Sequence, residues 1–437
     1  MIALKKEEIS TGYEMTTLPN GLRVITAPMP HTRSAAVQLY VGVGARHEQP
    51  ELSGISHFVE HMVFKGTERR PNPVQISEAI EGVGGNLNAC TDHEHTSYRA
   101  LVPSGYLGTA LDVLTDIVRY PRFAEEDIRK ERAVIIEEIS STYDSPGDIV
   151  DLVFDGLLWP DNPLGQDVAG TMKSVKRIKR NDLADHVNSH YKPESIVVSV
   201  AGNVTHAQVV QEVEQRWLDL RGGRDTIPRN NKITPLSSAG GPYHAFYKKR
   251  TEQTNLVLGV PALPYTSTRR YVQDVLDSLL GGGMSSRLFV ELRENMGLAY
   301  SVSSFVKSYD DVGAFGVHAA VDNGTVVPAL SAIISELRRI RDDGVSETEL
   351  RKVKEYIKGH TLLGLERSGY VAYWAGWQEL MLNRVDSVEY ALERVEAVSA
   401  EDIRQLTGEL FTTSKLHLAV VGPVAKQDEL VAALCID

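Results

Sequence analysis

The chain repeats part of its own pattern half a chain length later. Its 437 residues hold two segments in which apolar, glycine and acidic positions recur at a constant offset. At an offset of 220, the matches are Asp182-Leu183, Tyr191, Val200 and Gly202 with Asp402-Ile403, Phe411, Val420 and Gly422. At an offset of 217, Leu39-Tyr-Val-Gly42 matches Leu256-Val-Leu-Gly259, and Gly66 matches Gly283. Each shared strand precedes a helix of similar length, so we interpret the repeat as a duplication that produced two similar α+β halves.

A change of composition separates the two halves. Residues 219–242 are polar and rich in glycine, proline and serine, which is typical of an interdomain linker. A chain of this length also exceeds what a single hydrophobic core usually holds. We therefore predict a first half over residues 1–220, a linker over 221–242 and a second half over 243–437.

One stretch of the first half has the pattern of a metal-binding helix. Residues 54–66 read GISHFVEHMVFKG, with apolar residues at helical spacing. His57 and His61 are four residues apart, so both project from one side of a helix and can bind one metal ion. Glu60 borders that side, where a carboxylate can act as the general base of peptide hydrolysis. The order His-x-x-Glu-His is the inverted form of the commoner zinc signature. The alternative is a solvated helix face with no metal.

Only the first half carries this pattern. At the 217 offset, His57, Glu60 and His61 fall on Asp274, Asp277 and Ser278 of the second half. We therefore expect one half to be catalytic and the other to have a different task.

A third metal ligand is expected from a later helix, because catalytic zinc normally has three protein ligands and one open position. The predicted helix over residues 125–141 contains Glu131, Glu137 and Glu138. Glu131 and Glu138 are two turns apart and share a face, whereas Glu137 is rotated by roughly 100°. Helix phase thus favours Glu138 over Glu137 as the ligand, with Glu131 as a supporting carboxylate. The alternative is that these glutamates face water.

The remaining elements follow from local patterns. Asn20-Gly21 predicts a hairpin turn. Strands are predicted near 13–18, 22–26, 35–43, 86–92, 95–102 and 195–201, and further helices near 73–82, 105–119, 181–190 and 205–217. The residues between 142 and 180 are expected to be irregular.

Composition restricts the class of protein. A formal net charge of −12 argues against nucleic acid or an anionic membrane surface as the main partner. The two cysteines, Cys90 and Cys435, form no disulfide framework. No apolar run has the length of a membrane span, and the first residues lack a signal-peptide pattern. We expect a cytoplasmic protein that binds neither nucleic acid nor membranes.

The motif has matching surroundings in both halves. In the first half these are Gly54–Thr67; Gly85–Ala89 followed by Thr91, Glu94 and Tyr98; Glu131-Arg132 before Glu138; and Pro163-Leu164-Gly165 before Gly170. The second half carries GGMSSRLFxxLRExxGLAYSV over residues 282–302. Nearly the whole chain thereby resembles the pitrilysin family of inverted-motif zinc peptidases, which includes the mitochondrial processing peptidases and insulin-degrading enzymes.

The resemblance implies a fold and an activity. Each half would be a mainly antiparallel sheet flanked by helices. The protein would be a zinc-dependent endopeptidase that hydrolyses peptides or unfolded polypeptide segments inside a clamshell chamber. It would hold one zinc ion per chain through His57, His61 and Glu138, with Glu60 as general base and Glu131 supporting the site.

The resemblance also implies substrate contacts and assembly. Asn88 and Ala89 would offer an edge strand to the substrate main chain. Arg293 and Tyr300 would contact the substrate and the developing oxyanion, although their own sequence context suggests a salt bridge and a packed tyrosine. Because the chain carries both the zinc residues and the Arg293/Tyr300 pair, we expect a homodimer.

Alternatives remain open at this stage. One is a non-catalytic core or scaffold subunit of the same fold, and another is a different metal-dependent hydrolase built on the same helix. His93 and His95 lie on one face of a strand, but they lack a third ligand and are expected to be packing or surface residues. Cys90 is expected to be a small buried thiol.

Overall fold

The computed structural model describes residues 12–220, 222, 240–424 and 426–437. Most of the predicted linker, 221–242, lies outside these residues. The chain forms two compact units that interleave along the sequence. One comprises residues 1–137, 168–230 and 361–393, and the other comprises 138–167, 231–360 and 394–437.

The first unit is built on a sheet that has six strands in the described residues. They are β1 (Glu14–Thr17), β2 (Arg23–Pro28), β3 (Ser34–Val41), β4 (Asn86–Thr91), β5 (Thr96–Pro103) and β6 (Ile196–Gly202). Their order is β1-β2-β6-β3-β5-β4, and only the β2–β6 pair is parallel among them. In the register, Val37 of β3 lies opposite Ala100 of β5 and Val200 of β6. Strand β4 is therefore an edge strand of the described sheet.

Helices pack against this sheet. The helices in the first half of the chain are α1 (Ile55–Val63), α2 (Pro73–Glu81), α3 (Leu107–Arg119), α4 (Glu125–Asp144), α5 (Pro146–Leu158), α6 (Met172–Arg177), α7 (Arg180–His190) and α8 (His206–Trp217). Helix α3 packs on β3 and β5 because its apolar residues recur every three or four positions.

The helix over Ser368–Leu382, α12 below, packs on β3, β6 and β2 of the same sheet. Small residues allow this close approach, since a Cβ at Gly376 would lie 2.5 Å from a ring carbon of Tyr40. The hydroxyl of Ser199 donates to the carbonyl of Ala372 at 2.8 Å. A segment from the second half of the chain thus completes the core of the first sheet.

The second unit repeats the plan. Its strands are β7 (Tyr243–Lys248), β8 (Gln253–Ala262), β9 (Ala299–Ser308), β10 (Gly313–Asp322) and β11 (His417–Gly422). The second-half helices are α9 (Arg270–Gly281), α10 (Val326–Asp342), α11 (Glu347–Leu365), α12 (Ser368–Leu382), α13 (Val388–Ala397), α14 (Ala400–Leu410) and α15 (Gln427–Ala433). Among described residues the strand order is β7-β11-β8-β10-β9, which mirrors β2-β6-β3-β5-β4. The predicted α+β fold of two similar halves, each a mainly antiparallel sheet flanked by helices, is confirmed.

One local prediction was wrong. The segment expected to be irregular contains α5 and α6. Pro146 lies in the first turn of α5, where proline is favourable because that turn needs no backbone N–H. Ile149, Val150, Phe154 and Leu158 of α5 pack in the core of the second unit, against β8 and β11.

No helix in the described part of the chain combines the length and the apolarity needed to cross a membrane.

Candidate metal centre

Helix α1 begins at a tight turn that a neighbouring carboxylate caps. Gly54 precedes the helix with φ of 91°, and a Cβ there would lie 2.3 Å from the carbonyl oxygen of Ala169. Glu48 accepts hydrogen bonds from the backbone N–H groups of Gly54 and Ser56, each at 2.7 Å. Burial raises the pKa of Glu48 to about 7, against the opposing effect of these two hydrogen bonds. Sequence reasoning missed this cap, because the carboxylate lies several residues before the helix.

The two histidines of α1 lie side by side. The ring centroids of His57 and His61 are 4.6 Å apart with the planes at 71°. Burial, and then the neighbouring His61, lower the pKa of His57 to about 4. His57 is therefore neutral at pH 7, which is the form of imidazole that binds metals.

Glu138 of α4 joins these histidines. The potential ligand atoms of His57, His61 and Glu138 all lie within 4.8 Å of one another. Over the described ranges, this is the one group of three or more histidine, cysteine or acidic side chains found at such spacing. Glu137, one residue earlier, is exposed and is not part of the group. Two imidazoles and one carboxylate are a donor set that catalytic zinc uses, with a fourth position left open.

Glu131 lies behind His61. Its Oε2 is 3.1 Å from Nδ1 of His61, and its Oε1 is 2.7 Å from Nζ of Lys65. Burial acts to raise the pKa of Glu131, but the hydrogen bonds from His61 and Lys65 outweigh it, and the net pKa is lowered. An ionised carboxylate can only accept, so His61 donates from Nδ1 and keeps Nε2 for a metal.

Glu60 is held by Thr91, a residue of the matching surroundings to which the sequence assigned no role in the site. The hydroxyl of Thr91, at the end of β4, donates to Oε2 of Glu60 at 2.6 Å. Strand alternation is the signal that could have found it, since Leu87, Ala89 and Thr91 share the half-buried face of β4. Helix α1 packs against this strand.

Asn88 and Ala89 lie in the middle of the edge strand β4. They pair with Arg99 and Tyr98 of β5. Asn88 is exposed, and its Oδ1 accepts a hydrogen bond from the N–H of Ala89 at 2.8 Å. The expectation of a buried thiol at Cys90 was wrong. Cys90 is exposed because it alternates onto the outer face of the same strand.

Arg293 and Tyr300 belong to the second unit. Arg293 lies in a π-helix over Phe289–Asn295. This conformation is rare in proteins, and where it occurs it is often at a functional site. Its guanidinium donates to the carbonyl of Tyr300 at 3.0 Å and lies 5.1 Å from the ring centroid of Phe289. The side chain of Tyr300 is 72% exposed at the start of β9.

The second-half counterparts of the motif lie on α9. Burial, and then the charge of Asp277, raise the pKa of Asp274 to about 7.

His93 and His95 are both buried beside β5, and the ring of His95 lies 5.8 Å from that of Tyr40.

Comparison with known proteins agrees with this fold. The family model described as Insulinase (Peptidase family M16) matches residues 23–172, and the model described as Peptidase M16 inactive domain matches residues 177–357. An uncharacterized zinc protease of Mycobacterium leprae is 38% identical over 98% of this chain and 96% of its own length. An uncharacterized zinc protease of Streptomyces coelicolor is 36% identical over 94% of this chain and 89% of its own. The chain belongs to peptidase family M16, the pitrilysin-type family.

Solved structures show the same fold. A protease from Helicobacter pylori superposes with a TM-score of 0.89 at 23% identity, covering 94% of this chain and 99% of that one. A peptidase M16 inactive domain from Pseudomonas fluorescens superposes with a TM-score of 0.85 at 16% identity, covering 95% of this chain and 99% of that one.

Proposed function

We propose that the protein is a zinc-dependent endopeptidase that cleaves peptides or unfolded polypeptide segments. The observation that carries the proposal is the convergence of His57, His61 and Glu138, with Glu60 on the helix between the two histidines. Glu131, which accepts from His61, supplies the outer partner that metal-binding histidines normally have. The zinc proteases among the relatives support the choice of metal.

The roles of the side chains follow from their chemistry. Bound zinc, one ion per chain, supplies Lewis-acid activation of the scissile carbonyl and of a water molecule. Glu60 takes the proton of the attacking water and passes it to the leaving amine. His57 and His61 remain neutral ligands, and Glu131 holds the ring of His61 in one orientation. No covalent enzyme intermediate is needed.

Substrate binding is proposed for two further places. The edge strand β4 would pair with the substrate main chain at Asn88 and Ala89. Such pairing recognises the main chain of the substrate and not its side chains. Arg293 and Tyr300 would bind the substrate and donate to the developing oxyanion. In this proposal residues 1–220 form the zinc-binding half, and 243–437 form the second half with the Arg293/Tyr300 pair.

We also propose a cytoplasmic homodimer that encloses its substrates in a clamshell chamber. Each site would borrow Arg293 and Tyr300 from the partner subunit. Light scattering gives the oligomeric state. Mixing Glu60→Gln with Arg293→Ala protein tests the sharing, because two inactive variants should restore partial activity only if sites are shared. Absence of restoration, with subunit exchange demonstrated, would contradict the shared site.

The activity itself is tested with Glu60→Gln. Wild-type protein should cleave fluorogenic peptides and lose that activity with a chelator, and zinc should restore it. The variant should retain zinc by metal analysis and lose cleavage, whereas His61→Ala should lose zinc as well. A fully zinc-loaded wild-type preparation that is inert toward unfolded polypeptides would instead favour a non-catalytic scaffold subunit. Cleavage of esters or small amides without peptides would indicate a different hydrolase.

A further inference from the structure

We infer that Thr91 is a positioning residue that fixes the carboxylate of Glu60 through its hydroxyl group. The inference rests on the proposed function. It goes beyond it by assigning a role to a residue that neither binds the metal nor reacts. The observation is the hydrogen bond of 2.6 Å from Oγ1 of Thr91 to Oε2 of Glu60.

The hydroxyl of Thr91 is rigidly placed. Thr91 is the last residue of β4 and pairs with Thr96, the first residue of β5. Thr96 is fully buried, and its own hydroxyl donates to the carbonyl of Val43 at 2.9 Å. The β-branched side chain of Thr91 also has few accessible rotamers. The donor position is therefore set by the sheet.

Glu60, by contrast, has a long side chain that loses rotamer freedom when it is held in one place. Anchoring Oε2 on Thr91 orients the carboxylate of Glu60, and that orientation also fixes the position of Oε1. A base must lie within hydrogen-bond reach of the proton it abstracts. A displacement of about 1 Å in such a group can lower a rate by about 100-fold.

The same strand connects the base to the proposed substrate strand. Thr91 lies two residues after Ala89, on the same face of β4. The strand that would pair with the substrate main chain thus also carries the donor to the base. Movement of β4 would shift the paired substrate and the hydroxyl of Thr91 together. The position of Glu60 relative to the scissile bond would therefore be kept.

The test compares Thr91→Val, which keeps the shape and removes the hydroxyl, with Thr91→Ser, which keeps the hydroxyl. For the zinc-loaded full-length protein, we expect Thr91→Val to lower kcat by about 10- to 100-fold. KM and zinc content should remain within about twofold of wild type, because Thr91 is not one of the proposed metal ligands and lies beyond Asn88 and Ala89, where the substrate would pair. Thr91→Ser should recover most of kcat. Ser97→Ala is the matched control, since it removes a β5 hydroxyl that contacts the carbonyl of Cys90 instead.

A second measurement does not depend on activity. Crystal structures of the metal-free proteins should show the carboxylate of Glu60 displaced or in several rotamers in Thr91→Val, and in its wild-type position in Thr91→Ser. Thr91→Ala serves the same purpose if the valine variant does not fold. An unchanged Glu60 in Thr91→Val, an unchanged kcat, or a serine variant as impaired as the valine variant would overturn the inference. An inactive wild type would refute the proposed function, and the crystal structures would still decide the role of Thr91.

Discussion

Replacement of Glu131 by glutamine tests the support behind the proposed metal centre. The carboxylate accepts from His61 through one oxygen and from Lys65 through the other. A glutamine has only one acceptor oxygen. Because the ammonium of Lys65 can only donate, the amide oxygen is drawn toward Lys65 and the amide N–H group then faces Nδ1 of His61. That arrangement favours the histidine tautomer with its proton on Nε2, the nitrogen that a metal requires.

The expected size of the effect follows from this geometry. Loss of an outer carboxylate partner of a metal-binding histidine typically lowers metal affinity by about 10- to 100-fold. This corresponds to about 1.4 to 2.7 kcal/mol of zinc-binding free energy. Folding should be affected much less, because the amide oxygen still accepts from Lys65, and the side chain of Lys65 is 29% exposed, so the loss of charge is screened by water.

The assay is competition for zinc between the purified protein and a chromophoric chelator at pH 7.5. Glu137→Gln is the matched control, since Glu137 lies on the same helix, is exposed and is outside the metal-binding group. We expect a weaker zinc Kd for Glu131→Gln and no change for Glu137→Gln. Equal zinc affinities in a folded Glu131→Gln protein and wild type would refute the reasoning.

Three further results are expected. Glu48→Ala removes the acceptor of two backbone N–H groups at the start of α1. It should lower the free energy of unfolding, measured in urea, by about 2 kcal/mol. Replacement of the exposed Glu51 by alanine is the control and should change that free energy by less than about 0.5 kcal/mol. Burial, then His190 and His47, lower the pKa of His186 from 6.5 to about 3. The unfolded chain therefore binds this proton first as the pH falls, and wild type should lose about 2 kcal/mol between pH 7.5 and 5 that His186→Gln does not lose. Zinc at a thousand times its Kd should stabilise the folded protein by about 4 kcal/mol in thermal unfolding, and a chelator should remove that stabilisation. A melting temperature that does not change with zinc would contradict a metal site that forms only in the folded chain.

Local sequence determined much of helix α1. The helical period of residues 54–66 places the apolar side chains on one face and His57 and His61 together on another, because hydrogen bonding along a helix depends on residues only four apart. Helix phase likewise separates Glu138 from Glu137. The constant offsets between the halves indicated the duplicated plan, which appears as the same strand order in both sheets.

Contacts between distant segments were decided only by tertiary structure. Helix α5 packs in the second unit, and α12 packs on the first sheet. The sequences of these helices do not predict those partners, because either apolar surface would fit several. The hydrogen bond from Thr91 to Glu60 and the cap that Glu48 places on α1 have the same origin. Each joins groups whose separation depends on how whole strands and helices pack, a quantity that no short stretch of sequence contains.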